Sequence, residues 1–211
     1  MLGPSNVWTI VVGGGTGRRF GRPKQYELIG GERVIDRSRR IAETVSAGVI
    51  VVVPPQDADH EGAVAGGATR SDSVRAGLER VPSEAEIICV HDAARPLASP
   101  ALYERVVAAV ASGADGAVPG VPVADTIKII DDRDVVVDTP ARSSLVAVQT
   151  PQAFRAGVLR AAHADGGEGT DDAELVERTG GRVVVVEGEQ ANRKITHPAD
   201  LDWVRQAAGT A

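Results

Sequence analysis

The residues with the clearest chemical potential lie in one short run, Gly13-Gly14-Gly15-Thr16-Gly17-Arg18-Arg19-Phe20-Gly21. It follows the apolar, β-branched segment Val7–Val12. A glycine-rich turn after a strand lets backbone N–H groups approach a phosphate closely. Two standard phosphate loops are excluded. The G-x-G-x-x-G fingerprint fails because its third glycine would be Arg18 or Phe20, and no G-x-x-x-x-G-K-[ST] occurs in the chain. Yet Arg18, Arg19, Arg22 and Lys24 fall within seven residues with no acid among them. That pattern suits a small polyanion such as a nucleoside triphosphate.

The rest of the chain sets this run apart. Its 211 residues carry 23 Lys and Arg against 29 Asp and Glu, a net charge of -6. Without the four loop cations the remainder stands at 19 against 29, or -10. A chain this acidic is a poor general binder of nucleic acid or of an anionic membrane. Aromatic residues are only 3%, too few for an RNA-binding sheet of the stacking type. One cysteine, Cys89, rules out a disulfide framework or a cysteine-based zinc site, and reads as a buried thiol in a cytoplasmic protein. Residues 1–6 lack the basic and apolar regions of a signal peptide, and no run of 18 apolar residues is present. The four histidines show no metal-ligand spacing, and no serine sits in a G-x-S-x-G elbow.

The positioning elements follow from periodicity. Strands are expected at Val7–Val12, Gly48–Val53, Ile87–His91 and Val183–Glu187. Helices are expected at Val34–Ser46, Ser71–Arg80, Ala101–Ser112, Arg155–Ala164, Asp171–Thr179 and Asp200–Ala207. Pro119 and Pro122 predict only a broken strand around Val118–Val121, not a long central one. Continuous apolar strands alternating with helices predict an α/β fold, a Rossmann-like and mostly parallel sheet with helices on both faces. One segment breaks the rhythm: Asp125–Ile130 and Val135–Thr139 read as a β-hairpin, lying either on a second subunit or along an edge of its own.

Several motifs agree in order and spacing. They are Gly15-Thr16-Gly17-Arg18-Arg19-Phe20-(x2)-Pro23-Lys24-Gln25-Tyr26, Gly66-Gly67-(x2)-Arg70-(x2)-Ser73-Val74, Val90-His91-Asp92-Ala93-Ala94-Arg95-Pro96, Asp125-Thr126-Ile127-Lys128, Gln149–Phe154, Thr170-Asp171-Asp172-Ala173 and Glu187-Gly188-(x3)-Asn192-Arg193-Lys194-Ile195-Thr196. Together they resemble the cytidylyltransferases that act on polyol phosphates, over about residues 7–205. The His91–Pro96 stretch favours the methylerythritol phosphate branch over the ribitol phosphate branch.

That resemblance implies cytidylyl transfer from CTP to 2-C-methyl-D-erythritol 4-phosphate, in non-mevalonate isoprenoid synthesis, with Mg²⁺ as cofactor and pyrophosphate as the second product. Ribitol 5-phosphate as acceptor, and a non-catalytic CTP-binding module, stay open as alternatives. By the same resemblance Arg19, Lys24 and Lys194 are catalytic and grip the triphosphate. Gly13, Gly14, Gly15, Gly67, Ser73 and Ala93 would bind CTP. Asp92 would hold Mg²⁺ or polyol hydroxyls, while Arg95, Thr150 and Thr170 would hold the polyol phosphate. Thr126 and Arg142 would sit on a homodimerisation arm, about residues 123–142, inserted in a single nucleotidyltransferase domain. Arg142 would reach the neighbour's site in trans. The chain departs from the family at Gly13-Gly14, where two alanines are usual, and at Ala68, where a carboxylate often stands near the base.

Overall fold

The computed structural model describes residues 6–209 apart from Thr16 and Arg18. The leader reading and the two loop positions therefore fall outside the described residues. The strands are β1 (Val7–Val12), β2 (Leu28–Ile29), β3 (Glu32–Arg33), β4 (Gly48–Val53), β5 (Val64–Ala65), β6 (Ile87–Asp92), β7 (Gly116–Pro122), β8 (Ile129–Ile130), β9 (Val136–Asp138), β10 (Val146–Val148), β11 (Gln152–Arg155) and β12 (Val183–Glu187). The helices are α1 (Val34–Glu43), α2 (Ala58–Glu61), α3 (Arg70–Leu78), α4 (Pro100–Ala111), α5 (Ala156–His163), α6 (Asp172–Arg178) and α7 (Pro198–Ala207). Among the described residues no helix is long and apolar enough to cross a membrane.

The main sheet runs β10-β7-β11-β6-β1-β4-β5, with β12 on β7. Its β6-β1-β4-β5 half and the β7–β12 pair are parallel; β10 and β11 run antiparallel to their neighbours. The α/β, mostly parallel reading is borne out.

Side-chain alternation along the strands decides what faces what. Val7 and Val11 of β1 and Ile87 and Cys89 of β6 join α1 and α4 residues such as Ile35 and Leu102 on one face. Ile10, Ile88 and Val90 join Val74 of α3, Leu159 of α5 and Val176 of α6 on the other. Asp92 shares the parity of Ile88 and Val90, so it faces α3 and α6. A third cluster joins Phe20, Ile29, Val34, Ile195, Leu201 and Val204. It ties the end of the glycine-rich loop to the segment before α7.

The expectation of a broken strand at Val118–Val121 is corrected. β7 is a seven-residue strand bonded on both sides. It changes partner along its length, from β11 at Gly116 and Ala117 to β10 at Gly120–Pro122. Pro119 sits at the changeover and accepts from the Gln149 N–H at 2.8 Å. Its missing N–H therefore faces a gap between β10 and β11 where no ladder bond is asked of it.

The hairpin over β8 and β9 forms as expected. Ile129, Ile130, Val136 and Val137 on it are 48–59% exposed.

Helix α3 packs close to the sheet because Gly77 lacks a side chain; a Cβ there would lie 2.6 Å from Cγ2 of Ile10. Replacing Gly77 by Val should destabilise the fold by about 1–3 kcal/mol, since overpacking outweighs the few tenths gained in helix propensity. Urea denaturation checks this, and a midpoint equal to that of the parent would remove the close-packing account.

Candidate active site

The chain leaves β1 toward β4 on one side and later returns to β6 on the other. Strand order thus reverses between β1 and β6, and open α/β sheets bind ligands at the carboxyl ends flanking such a reversal. Val12 and Asp92 are register partners at that end. A cleft of about 440 Å³ opens there, within the usual range for small-ligand sites.

Its lining combines Gly13–Gly15 after β1, Lys24 and Gln25 in a short 3₁₀ turn, and Gly67–Arg70 with Ser73 at the start of α3. Asp92 at the end of β6, Ala93 and Ala94 just after it, Arg19 and Lys194 complete it. Four cations, Arg19, Lys24, Arg70 and Lys194, thus surround one carboxylate. A larger cleft of about 710 Å³ lies over β4 and β5, beside Arg33, Arg39 and Arg80. It gathers none of the candidate residues, and Arg33 there is already paired with Asp36 and Glu61.

Local structure explains how each side chain arrives. Thr69 caps α3 and closes a capping box with Asp72. This fixes the first turn that carries Arg70 and Ser73. The Ser73 hydroxyl donates to the Thr69 carbonyl and accepts from the Gly67 N–H. Only glycine fits at position 67, because an added Cβ would sit 2.1 Å from Cβ of Asp72.

Lys194 lies 102 residues from Asp92, yet its Nζ donates to Asp92 Oδ2 at 2.5 Å. Two locks bring it there. The Ile195 N–H donates to the Ala94 carbonyl, and buried Asn192 donates to the Thr150 carbonyl.

Asp92 is the electrostatic centre. Arg70 Nε donates to its Oδ1 at 3.2 Å. Burial pushes its carboxyl up, but Arg70, then Lys194, then Arg95 outweigh that and hold it far below the usual carboxylate range. Lys24 moves the other way. Burial, then Lys194, then Arg19 lower its pKa, since cations crowded in one cleft disfavour each other. The start of α3 adds its positive dipole end to the same wall.

For a divalent cation such as magnesium this donor set offers Asp92 alone among carboxylates of the cleft lining. Among the described residues no group of three or more His, Cys, Asp or Glu side chains could cage a metal. One ionised carboxylate in a cationic cleft would suit a cation that keeps water or ligand oxygens as its other ligands.

Not every candidate lies in the cleft. Gly13, Gly14, Gly15, Gly67, Ser73, Ala93, Asp92, Arg19, Lys24 and Lys194 line it; Arg95, Thr126, Arg142, Thr150 and Thr170 do not. Arg95 donates to the Asn192 carbonyl at 2.8 Å, and burial lowers its pKa. Thr150 accepts from the Asp92 N–H and hydrogen-bonds His91 Nδ1, so it supports the strand end from below. His91 is structural as well; its Nε2 donates to the Arg95 carbonyl, and burial lowers it to about 4. Thr170 is exposed and bonded to Glu174. Thr126 and Arg142 are exposed on the hairpin and its continuation. Gly13 lends no free donor, because its N–H goes to the Val52 carbonyl at 2.7 Å.

The loop cations also divide. Arg19 and Lys24 reach the cleft, whereas Arg22 turns outward to Glu27 and Phe20. Arg70 was the missed residue. It stood in plain view in the Gly66–Val74 motif, but nothing in the sequence showed that it would meet Asp92.

The chain matches, over residues 7–207, the family described as IspD, 2-C-methyl-D-erythritol 4-phosphate cytidylyltransferase. It is 44% identical to the protein of that name from Rhodococcus opacus, covering 96% of this chain and 95% of the relative. The bifunctional enzyme IspD/IspF of Nitratidesulfovibrio vulgaris is 41% identical, and there the match spans 56% of the longer protein. Among solved structures, the 2-C-methyl-D-erythritol 4-phosphate cytidylyltransferase of Thermus thermophilus superposes with a TM-score of 0.79 at 34% identity, covering 95% of this chain and 98% of that one. The synthase from Anaerococcus prevotii gives 0.85 at 27% identity, over 98% and 99%. Family match, sequence identity and superposition agree, and the chain belongs to the 2-C-methyl-D-erythritol 4-phosphate cytidylyltransferase family.

Proposed function

We propose that the cleft binds CTP and that the enzyme transfers its cytidylyl group to 2-C-methyl-D-erythritol 4-phosphate. A phosphate oxygen of the acceptor attacks the α-phosphorus in line, and pyrophosphate leaves. The nucleophile is already an anion, so no strong base is needed. Positioning and charge neutralisation supply most of the rate. The observation that carries this reading is the gathering of Arg19, Lys24 and Lys194, from both ends of the chain, around one cleft.

Arg19 can fork across two phosphate oxygens, while Lys24 and Lys194 act as compact point charges. Gly14, Gly15, Gly67, Ser73 and Ala93 shape the nucleotide side. Asp92 would hold the magnesium ion, which when bound neutralises and orients the triphosphate. Cys89 is fully buried, its thiol pushed up to about 12 by burial, which accords with a cytoplasmic enzyme.

Residues 123–142 form an arm inserted in a single nucleotidyltransferase domain, and the arm builds a homodimer. Its exposed apolar side chains support this. Thr126 and Arg142 lie outside the lining of their own cleft, and on this reading they serve the partner's site together with Arg95, Thr150 and Thr170, Arg142 exchanging its bond to the Ala124 carbonyl for the acceptor phosphate.

The acceptor is tested by following pyrophosphate release with Mg²⁺, CTP and either methylerythritol phosphate, ribitol phosphate or no acceptor. Release is expected with the first alone. Release with ribitol phosphate alone reassigns the acceptor, and none with any acceptor leaves a CTP-binding protein.

Binding should also report on Lys24. Its folded pKa lies below 10.5, so the charge that attracts the triphosphate is lost as pH rises through that lowered value. CTP affinity of the free protein, measured by calorimetry, should fall at a pH below 10.5, and Lys194→Ala should move the fall upward. A fall at or above 10.5 in the parent would remove Lys24 from this role.

The shared site predicts complementation. Lys24→Ala and Arg142→Ala homodimers should each be nearly inactive, and mixing them should restore part of the activity as subunits exchange. Hybrid dimers proven by mass spectrometry yet inactive would count against a site built across two subunits.

A further inference from the structure

Arg70 does not end at Asp92. Its Nη1 donates to Asp172 Oδ2 at 2.8 Å. Asp172 is 0% exposed and accepts a second bond, from His163 Nε2, at 3.0 Å on Oδ1. Five groups therefore alternate in sign or polarity from the interior to the cleft: His163, Asp172, Arg70, Asp92 and Lys194. They come from the end of α5, the start of α6, the start of α3, the end of β6 and the segment before α7.

The geometry of the middle link matters. A guanidinium presents five donors in a fixed plane. Arg70 meets Asp92 through Nε and Asp172 through Nη1, so two acids on different edges fix that plane. The arrangement holds Arg70 to a single bond on Asp92 and leaves Oδ2 to Lys194. Without Asp172 the guanidinium is free to turn and grip both carboxylate oxygens, the fork it favours. Lys194 would then lose its partner. Burial pushes the Asp172 carboxyl up, but the His163 and Arg70 hydrogen bonds and charges more than offset this, so it stays ionised for the task. The α6 terminus is itself held in place, since Asp171 caps the helix and accepts from Gln152 Nε2 at 2.7 Å.

We propose that Asp172 is a positioning residue: fully buried and out of reach of any ligand in the cleft, it fixes the plane of Arg70 and so keeps Asp92 oriented to hold Lys194. The proposal rests on reading the cleft as the nucleotidyl-transfer site, and its test separates the two.

Asp172→Asn removes the charge at nearly constant volume. In the ligand-free protein, acetylation of Lys194 by acetic anhydride, mapped by mass spectrometry against exposed Lys128, should quicken by about threefold or more, the scale of one partly exposed ion pair. In turnover assays kcat should fall by about tenfold or more, while KM for CTP changes far less, as expected for a displaced catalytic group. Asp172→Glu keeps the buried charge but shifts the guanidinium by one methylene, and it is read the same way where the Asn variant does not fold. Lys194 labelling unchanged relative to Lys128 in a folded variant overturns the proposal whatever the turnover, because lost stability alone does not expose one lysine selectively. If the parent protein itself releases no pyrophosphate, the functional reading fails, and the labelling still decides the positioning role.

Discussion

One carboxylate lets the rest of the site exist. Arg19, Lys24, Arg70 and Lys194 crowd a single cleft, and the pKa of Lys24 is lowered first by burial and then by the nearby charges of Lys194 and Arg19. Asp92 opposes that repulsion from the end of a central strand, bonded to Arg70 on one oxygen and Lys194 on the other. It is only 8% exposed, so these attractions act at lower effective dielectric than on an open surface. Asp92 thus neutralises part of the cationic lining and ties Arg70 to Lys194.

The fold reads as the means of placing that carboxylate. Alternation along β6 sends Ile88, Val90 and Asp92 to one face, where α3 and α6 wait with Arg70 and Asp172. The third apolar cluster, through Phe20 and Ile195, joins the two chain segments that deliver Arg19, Lys24 and Lys194. Its loss would separate the cations without touching any of them. Helix α4 and Tyr103 lie on the opposite face, beside His91, and only support the strand.

Most of this architecture was legible in the sequence because hydrophobic periodicity is local. β1, β4, β6, β12 and all the longer helices lie within a residue or a few of their expected bounds. What was not legible is pairwise and distant. β10 and β11 are three and four residues long, too short to carry a period, and exist because β7 and β6 bond them. β7 survives two prolines because its partners change at Pro119, which no local rule reveals. The same division holds at the site. The glycine-rich turn and its cations stood out by composition. Arg22, however, turns out to be paired with Glu27, and Arg95 and Thr150 to be engaged with buried neighbours. The Arg70 link to Asp92 and Asp172, across 22 and 102 residues, could only be seen in three dimensions.

The charge balance acquires a sharper meaning in this light. Salt screens exposed charges beyond about 8 Å at physiological ionic strength, so a group in the cleft responds to the cations around it rather than to the net charge of the whole chain. A nucleic acid would have to lay many phosphates across the surface at once, where the excess of acids opposes it. The 440 Å³ cleft, by contrast, is lined by four cations and one carboxylate. A net charge of -6 and a cationic cleft therefore do not conflict. The net charge is a property of the whole surface, whereas the cations belong to one cleft formed by segments from both ends of the chain.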